Sequence, residues 1–418
     1  MTPENKQKYD ARVKRVNDAI ALREPDRIPI KPSPAIFPIL NAGYTVAEVI
    51  YDESLEKYKK ALFKYLNEFE PDAGIGTGNN YAGQGKLMEL QAPKNMTWAG
   101  MPGSRIGENS IQQYLEFPFL EDDEFELFFS DRTGWTINKA FPRLSKVTES
   151  FANLSFSHSH GGILGTAAAL SDPEIKKSIQ TLWELNDKTE AFRVKAAELS
   201  KEVEDAGFPI FQGGGAAVPF DDYSDNLRGT LASLADLYER TEDVERYIEE
   251  SQEKTLAAIR ATKGKRDGKH VFMALHKGMD GFMSDEHYAK YYWRHLKEII
   301  ETIIDAGQVP YIFTEGNYNS RLKYLADVPK GKVYYHFETV DKAEAKKVLG
   351  DTACISGGFP IYLLNYGTPA EVEAECKRLI DICAPGGGFI FEASCGLDYC
   401  KRENVETMFR TVKEYGKR

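Results

Sequence analysis

No run among the 418 residues approaches the ~18–20 consecutive apolar side chains that span a bilayer, so no membrane-crossing segment is expected. Basic residues are in the minority: 53 Lys and Arg face 64 Asp and Glu, for a formal net charge of −11. Nucleic acids and anionic membranes are recognised by clustered Lys and Arg, so neither is expected as a partner. The stretch Met1 to Arg23 is charged throughout and has no apolar signal core, which predicts a cytoplasmic protein. Cysteine is scarce and odd in number. The five are Cys354, Cys376, Cys383, Cys395 and Cys400, all in the last quarter of the chain. That count suits core filling, thiol chemistry or metal ligation better than a disulfide framework. Phosphate-loop, Gly-x-Ser-x-Gly and His-Glu-x-x-His signatures are missing. Gly74-x-Gly76-x-Gly78 lacks the third glycine of a dinucleotide loop. The chain has no repeat and no low-complexity segment.

What is present is alternation. Val13, Val16, Ala19 and Ile20 recur at helical spacing, Pro25-Asp-Arg27 breaks that helix, and Ile28-Pro-Ile30 reads as a short strand. A second amphipathic helix covers 54–69, and a third runs from Asp172 or Pro173 to Ala206. Short apolar runs then alternate with helical patterns. The runs are Phe208–Phe211, Val271–Leu275, Val309–Phe313, Lys332–Tyr335, Ala353–Ile355 and Gly388–Phe391; the helices cover about 231–262, 284–305, 341 onward, 368 onward and 403–416. Two of these helices open on capping-box spacing, Asp341 with Glu344 and Thr368 with Glu371. The strands do not alternate polar with apolar, as expected of strands covered on both faces. Parallel β/α units at this spacing predict a single-domain (β/α)8 TIM barrel spanning 1–418, with N-terminal helices and an insertion around 77–150. An open doubly wound sheet is the alternative.

Barrel sites lie at the C-terminal ends of the strands. Glu315 follows Tyr311-Ile-Phe-Thr314, His336 follows Val333-Tyr-Tyr335, and Cys395 follows Phe389-Ile-Phe-Glu-Ala-Ser394. A carboxylate, an imidazole and a thiol at one rim suit zinc with an open fourth position. Glu338 is a rival ligand or a substrate contact, since it shares a strand face with His336. His276, after Val271–Leu275, and Gln212, before Gly213-Gly-Gly215, are candidate substrate contacts. His158 and His160 are candidate loop contacts. Tyr288, Tyr291, Tyr292, Leu296, Ile299 and Ile303 read as one buried helix face. Tyr81, Trp98, Phe117 and Trp135 suit either an aryl substrate or the core of the insertion.

Several segments together resemble the uroporphyrinogen decarboxylase-like superfamily. They are Arg12-Val-Lys-Arg-Val-Asn-Asp-Ala-Ile20 with Pro25-Asp-Arg-Ile-Pro29, and Pro219-Phe-Asp-Asp222 with Leu227-Arg-Gly229. To these add Gly357-Gly358, Tyr366-Gly-Thr-Pro-Ala-Glu-Val372, and Gly386-Gly-Gly-Phe-Ile390 with Cys395-Gly396. The resemblance points to the corrinoid-dependent methyltransferase branch of O-demethylase type, because Arg27-Ile-Pro-Ile-Lys-Pro-Ser-Pro34 lacks the arginine cluster with which the decarboxylases grip carboxylates. Glu315-x20-His336 matches the second half of a zinc pattern, Glu-x14-Glu-x20-His, of that branch; its first Glu falls at Ile300, beside Glu301 on a polar helix face. The resemblance implies zinc held by Glu315, His336 and Cys395, with Glu315 and His336 as catalytic residues. It implies a small methylated substrate such as a methoxylated aromatic, and cobalamin carried by a partner corrinoid protein. It also implies a homodimer. A metal-free decarboxylase and a non-catalytic corrinoid-protein-binding barrel are the alternatives.

Overall fold

The computed structural model describes residues 1–77, 81–156 and 162–417. Gly78, His158 and His160 lie outside the described residues. Five strands form one parallel sheet in chain order: β1 (Gln212–Gly215), β2 (His270–Leu275), β3 (Val309–Asn317), β4 (Tyr334–Thr339) and β5 (Cys354–Gly357). Three extended segments complete the ring. Residues 389–393 bridge β5 through Ile355 and Phe389, and the segment around Ile30 bridges Phe391 in parallel. The Asp72 amide donates to the Ile30 carbonyl, and the Gly74 amide donates to the Pro209 carbonyl just before β1, each at 2.8 Å. Eight segments are thereby joined side by side in a closed parallel ring, which is the expected (β/α)8 barrel.

The segments around 28–31 and 389–393 pair through isolated bridges and 72–75 through single amide bonds; Pro29, Pro32 and Pro71 lack donors there, and Gly386 to Gly388 have positive φ. The apolar run Phe208–Phe211 is extended, but its paired strand begins only at Gln212, four residues later than the hydrophobicity suggests. There the Gly74 and His270 amides reach the Pro209 and Phe211 carbonyls, so pairing partners rather than apolarity set the boundary.

The helices arise where periodicity and capping place them. Pro3–Ile20 (α1) and Glu56–Phe69 (α2) precede the insertion. Pro173–Asp205 (α3) starts on Asp172, whose carboxylate accepts from the Glu174 and Ile175 amides. The stretch expected as one helix over 231–262 is two, Thr230–Glu239 (α4) and Thr241–Arg260 (α5), broken at Arg240. Arg294–Asp305 (α6) continues a π turn over Tyr288–Trp293. Lys342–Leu349 (α7) has half of its expected capping box: Asp341 accepts the Glu344 amide, while its own amide donates to Asn319. Pro369–Cys383 (α8) has both halves of its box. Arg402–Tyr415 (α9) closes the chain.

The described residues of the 77–150 stretch pack into the barrel's own core. Trp98, Leu120, Phe128 and Trp135 belong to the same continuous core as Ile28, Ile312 and Val412. Arg228 ties it down by bonding the Leu120 carbonyl and the Asp122 carboxylate. Among the described residues, no helix is long and apolar enough to cross a membrane.

Candidate functional site

The register fixes which strand ends meet. Leu275 pairs with Thr314, so His276 and Glu315 leave adjacent strands side by side. His276 Nε2 lies 3.6 Å from Glu315 Oε1, and its Nδ1 bonds the Asp225 carboxylate. The second oxygen of Asp225 takes Lys277 Nζ at 3.0 Å. Asp225 comes from a π turn, Ser224–Arg228, that follows β1. Hydrogen bonds to Asp225 and then Glu315 outweigh the cost of burial and push the His276 pKa up to about 10, so the ring is protonated at neutral pH. Burial tends to raise Asp225, but the bonds and charges of His276 and Lys277 hold it below the ordinary carboxylate value. A carboxylate orienting one imidazole nitrogen while the other stands beside the partly exposed Glu315 at the rim is an arrangement suited to moving a proton.

His336 lies one layer deeper. It pairs with Phe313, two residues below Glu315 on β3, and is buried. Its Nε2 is 2.8 Å from the Ala393 carbonyl, to which it donates, and its Nδ1 is 3.0 Å from the Tyr311 hydroxyl, from which it accepts. These partners assign the tautomer. Burial pushes its pKa down to about 3, so the ring is neutral. Glu392 Oε2 stands 3.3 Å from both Nδ1 and the Tyr311 hydroxyl. Burial raises Glu392 to about 7 despite Lys31, whose Nζ lies 3.6 Å from Oε1 and 4.4 Å over the Tyr311 ring.

Glu338 turns back on the next strand and accepts the Gly316 amide at 2.6 Å. Cys395 is half-buried; its Sγ lies 3.8 Å from the Gly396 carbonyl, and burial, with Asp398 and Glu338, holds it as a thiol. Gln212 stands exposed at the start of β1, paired with His270 at the opposite end of β2 from His276. The structure therefore brings together His276 and Glu315, keeps Glu338 at the same rim, and leaves Gln212 apart.

The expected zinc shell is not assembled. Both His336 nitrogens are engaged inside the barrel, and Glu315 faces His276. Among the described residues, no group of three or more His, Cys, Asp or Glu side chains is placed to hold a metal ion. The described residues, as arranged, do not fit zinc. Glu301 lies exposed on α6, away from the strand ends. Trp98 and Trp135 are core, donating to the Tyr51 hydroxyl and Glu124. Tyr81 and Phe117 are half-buried against Tyr114 and Phe119.

Sequence reading missed Asp225 and Glu392. Each had a signal. Asp225 lies in the segment after Pro219-Phe-Asp-Asp222, and Glu392 shares the inward face of Ile390 and Ser394.

The fold and rim define a (β/α)8-barrel protein with His276 held between Asp225 and Glu315 at its C-terminal rim. Residues 170–415, more than half of the chain, match the uroporphyrinogen decarboxylase (URO-D) family. The chain belongs to that family. It is 24% identical over 143 residues to a uroporphyrinogen decarboxylase of Azoarcus sp. (strain BH72), covering 33% of this chain and 39% of that one. It is 26% identical over 121 residues to that of Sodalis glossinidius (strain morsitans), covering 28% and 33%. The match thus spans about two fifths or less of these relatives. A solved methyltransferase from Methanosarcina mazei shares the fold, with TM-score 0.58 over 97% of this chain and 98% of that chain at 15% identity.

Proposed function

We propose that this protein is a methyltransferase that moves a methyl group from a small O-methylated substrate, of the methoxylated aromatic class, to a corrinoid carried by a partner protein. The observation that carries the reading is His276, protonated, held by Asp225 and facing the mouth beside Glu315. Breaking a methyl–oxygen bond leaves an alkoxide or phenoxide, which departs readily only if its charge is neutralised. The proton on His276 Nε2 passes to that oxygen, and Asp225 stabilises the ring throughout. An O-methyl donor gains most from such an acid, because quaternary ammonium and sulfonium donors already depart as neutral groups. Reduced cobalt of a docked corrinoid supplies the electron pair that takes the methyl group. The fold shared with the archaeal methyltransferase supports this reading.

The names of the curated relatives favour a second reading, decarboxylation, in which a proton replaces carbon dioxide. The cations near the strand ends argue against a substrate with many carboxylates. Lys277 is paired with Asp225, Arg321 with Asp285, and Lys342 with the Ser356 carbonyl. The test is anaerobic incubation with vanillate and chemically reduced cob(I)alamin, following methylcobalamin and demethylated phenol. One phenol per methylcobalamin is expected, with a rate loss of about 100-fold or more in His276→Gln. Failure with vanillate, methylamines and methanethiol alike, alongside carbon dioxide release from uroporphyrinogen, would establish the decarboxylase instead.

A further inference from the structure

Asp221 and Asp225 stand four residues apart across a helix (Pro219–Tyr223) and the π turn that continues it. Residues at this spacing are neighbours on one helical face. Both carboxylates address the same two residues at the end of β2. Asp225 takes the side chains of His276 and Lys277. Asp221 takes their backbone: its Oδ2 accepts the His276 amide at 3.1 Å, and its Oδ1 accepts the Lys277 amide at 2.8 Å. A third donor, the Tyr292 hydroxyl, reaches Oδ2 at 2.5 Å.

Asp221 is 2% exposed, and a carboxylate so placed is costly unless its acceptor sites are filled. Here three donors fill them, from two different parts of the chain. The grip extends to both sides. The Tyr318 hydroxyl holds the Leu275 carbonyl at 3.3 Å, and Gly278 lies so close to Tyr292 and Tyr318 that a Cβ there would meet Tyr292 at 2.6 Å. The segment from Leu275 to Gly278 is thus fixed through its backbone, not through the side chains that face the mouth.

We propose that Asp221 is the positioning residue of the mouth histidine. It holds the His276 backbone in the one setting from which the ring reaches Asp225 with Nδ1 and the mouth with Nε2. A side chain on the end of a strand has several rotamers and a backbone free to twist; the amide clamp removes the second freedom, and Asp225 then selects the first. The inference deepens the proposed acid role of His276, and its test does not use methyl transfer, so the two can fail separately.

The experiment is nitrogen-edited NMR of protein labelled in histidine, with the His276 Nδ1–H resonance assigned by its loss in His276→Gln. In wild type, the bond to Asp225 places this proton far downfield and slows its exchange with water. Asp221→Asn cannot accept both amides and Tyr292 together, and is expected to lose the downfield resonance, as Asp225→Asn does, while circular dichroism stays that of the folded protein. A folded Asp221→Asn with the wild-type resonance overturns the proposal and leaves Asp221 a purely structural anchor. Should Asp221→Asn not fold, Tyr292→Phe removes one donor of three and keeps the carboxylate. It is expected to speed exchange of the Nδ1–H proton about fivefold, the effect of one lost hydrogen bond; unchanged exchange overturns the proposal equally.

Discussion

The ring of His336 passes through the space that a side chain at Gly357 would occupy. A Cβ on Gly357 would lie 2.4 Å from His336 Cδ2 and 2.3 Å from the Phe337 carbonyl oxygen. His336 is on β4 and its acceptor, the Ala393 carbonyl, is on the segment beyond β5. The imidazole therefore ties together two barrel segments that are not neighbours, and it does so over a bare backbone. Gly357 also has φ +73, which an L side chain rarely adopts. Gly357→Ala is expected to destabilise the protein by about 2–4 kcal/mol or to prevent folding. Urea denaturation followed by tryptophan fluorescence measures this; a loss below about 0.5 kcal/mol would show that the ring has another route.

The commitment of His336 inside the barrel sets an expectation for metal. Zinc content after equilibration with excess zinc and gel filtration should be the same in wild type and His336→Ala, measured by plasma mass spectrometry. One equivalent of zinc held by wild type and lost in the variant would show that the ring leaves Ala393 and joins Glu315 or Cys395.

His276 makes stability depend on pH in the alkaline range. Its folded pKa, about 10, is above the ordinary 6.5. The folded state therefore holds a proton that the unfolded state releases first. The stabilisation is fully present below pH 6.5 and is lost as pH rises through 10. Melting temperatures of wild type and His276→Gln should accordingly converge between these limits. Parallel curves over that range would mean that the ring is not held as an imidazolium.

Asp72 anchors the opposite end of the barrel. It is buried, and its carboxylate takes Arg15 Nη1 at 2.6 Å, Arg27 Nη1 at 2.7 Å and the Ile30 amide at 2.8 Å. Asp72→Ala takes the carboxylate from the Arg27 guanidinium and the Ile30 amide, and leaves Arg15 with Asp26 alone. A loss of about 3–5 kcal/mol is expected. Double-mutant cycles with Arg27→Met should recover part of it, and strict additivity of the two losses would contradict the pairing.

Much of this protein was legible in its residues. Helices with both a periodic face and a cap were placed to within a residue or two, as at Asp172 and Thr368. The central strands were found because they are covered on both faces and so are apolar throughout. The rule that function sits after strands singled out His276 and Glu315, which do meet.

The sequence did not reveal how deep each residue sits or what it faces. His336 and Glu315 end neighbouring apolar runs and look equivalent in one dimension. The register of β3 with β4 pairs His336 with Phe313 instead, which places it one layer inward, where burial keeps the ring neutral and Ala393 and Tyr311 take its nitrogens. Asp225 became visible only when a π turn brought it to a histidine 51 positions away in sequence. Local patterns determined the helices, the strands and their order, because these depend on neighbours in the chain. Strand register and burial, which depend on contacts between distant segments, decided which of the polar residues face the mouth and in which protonation state.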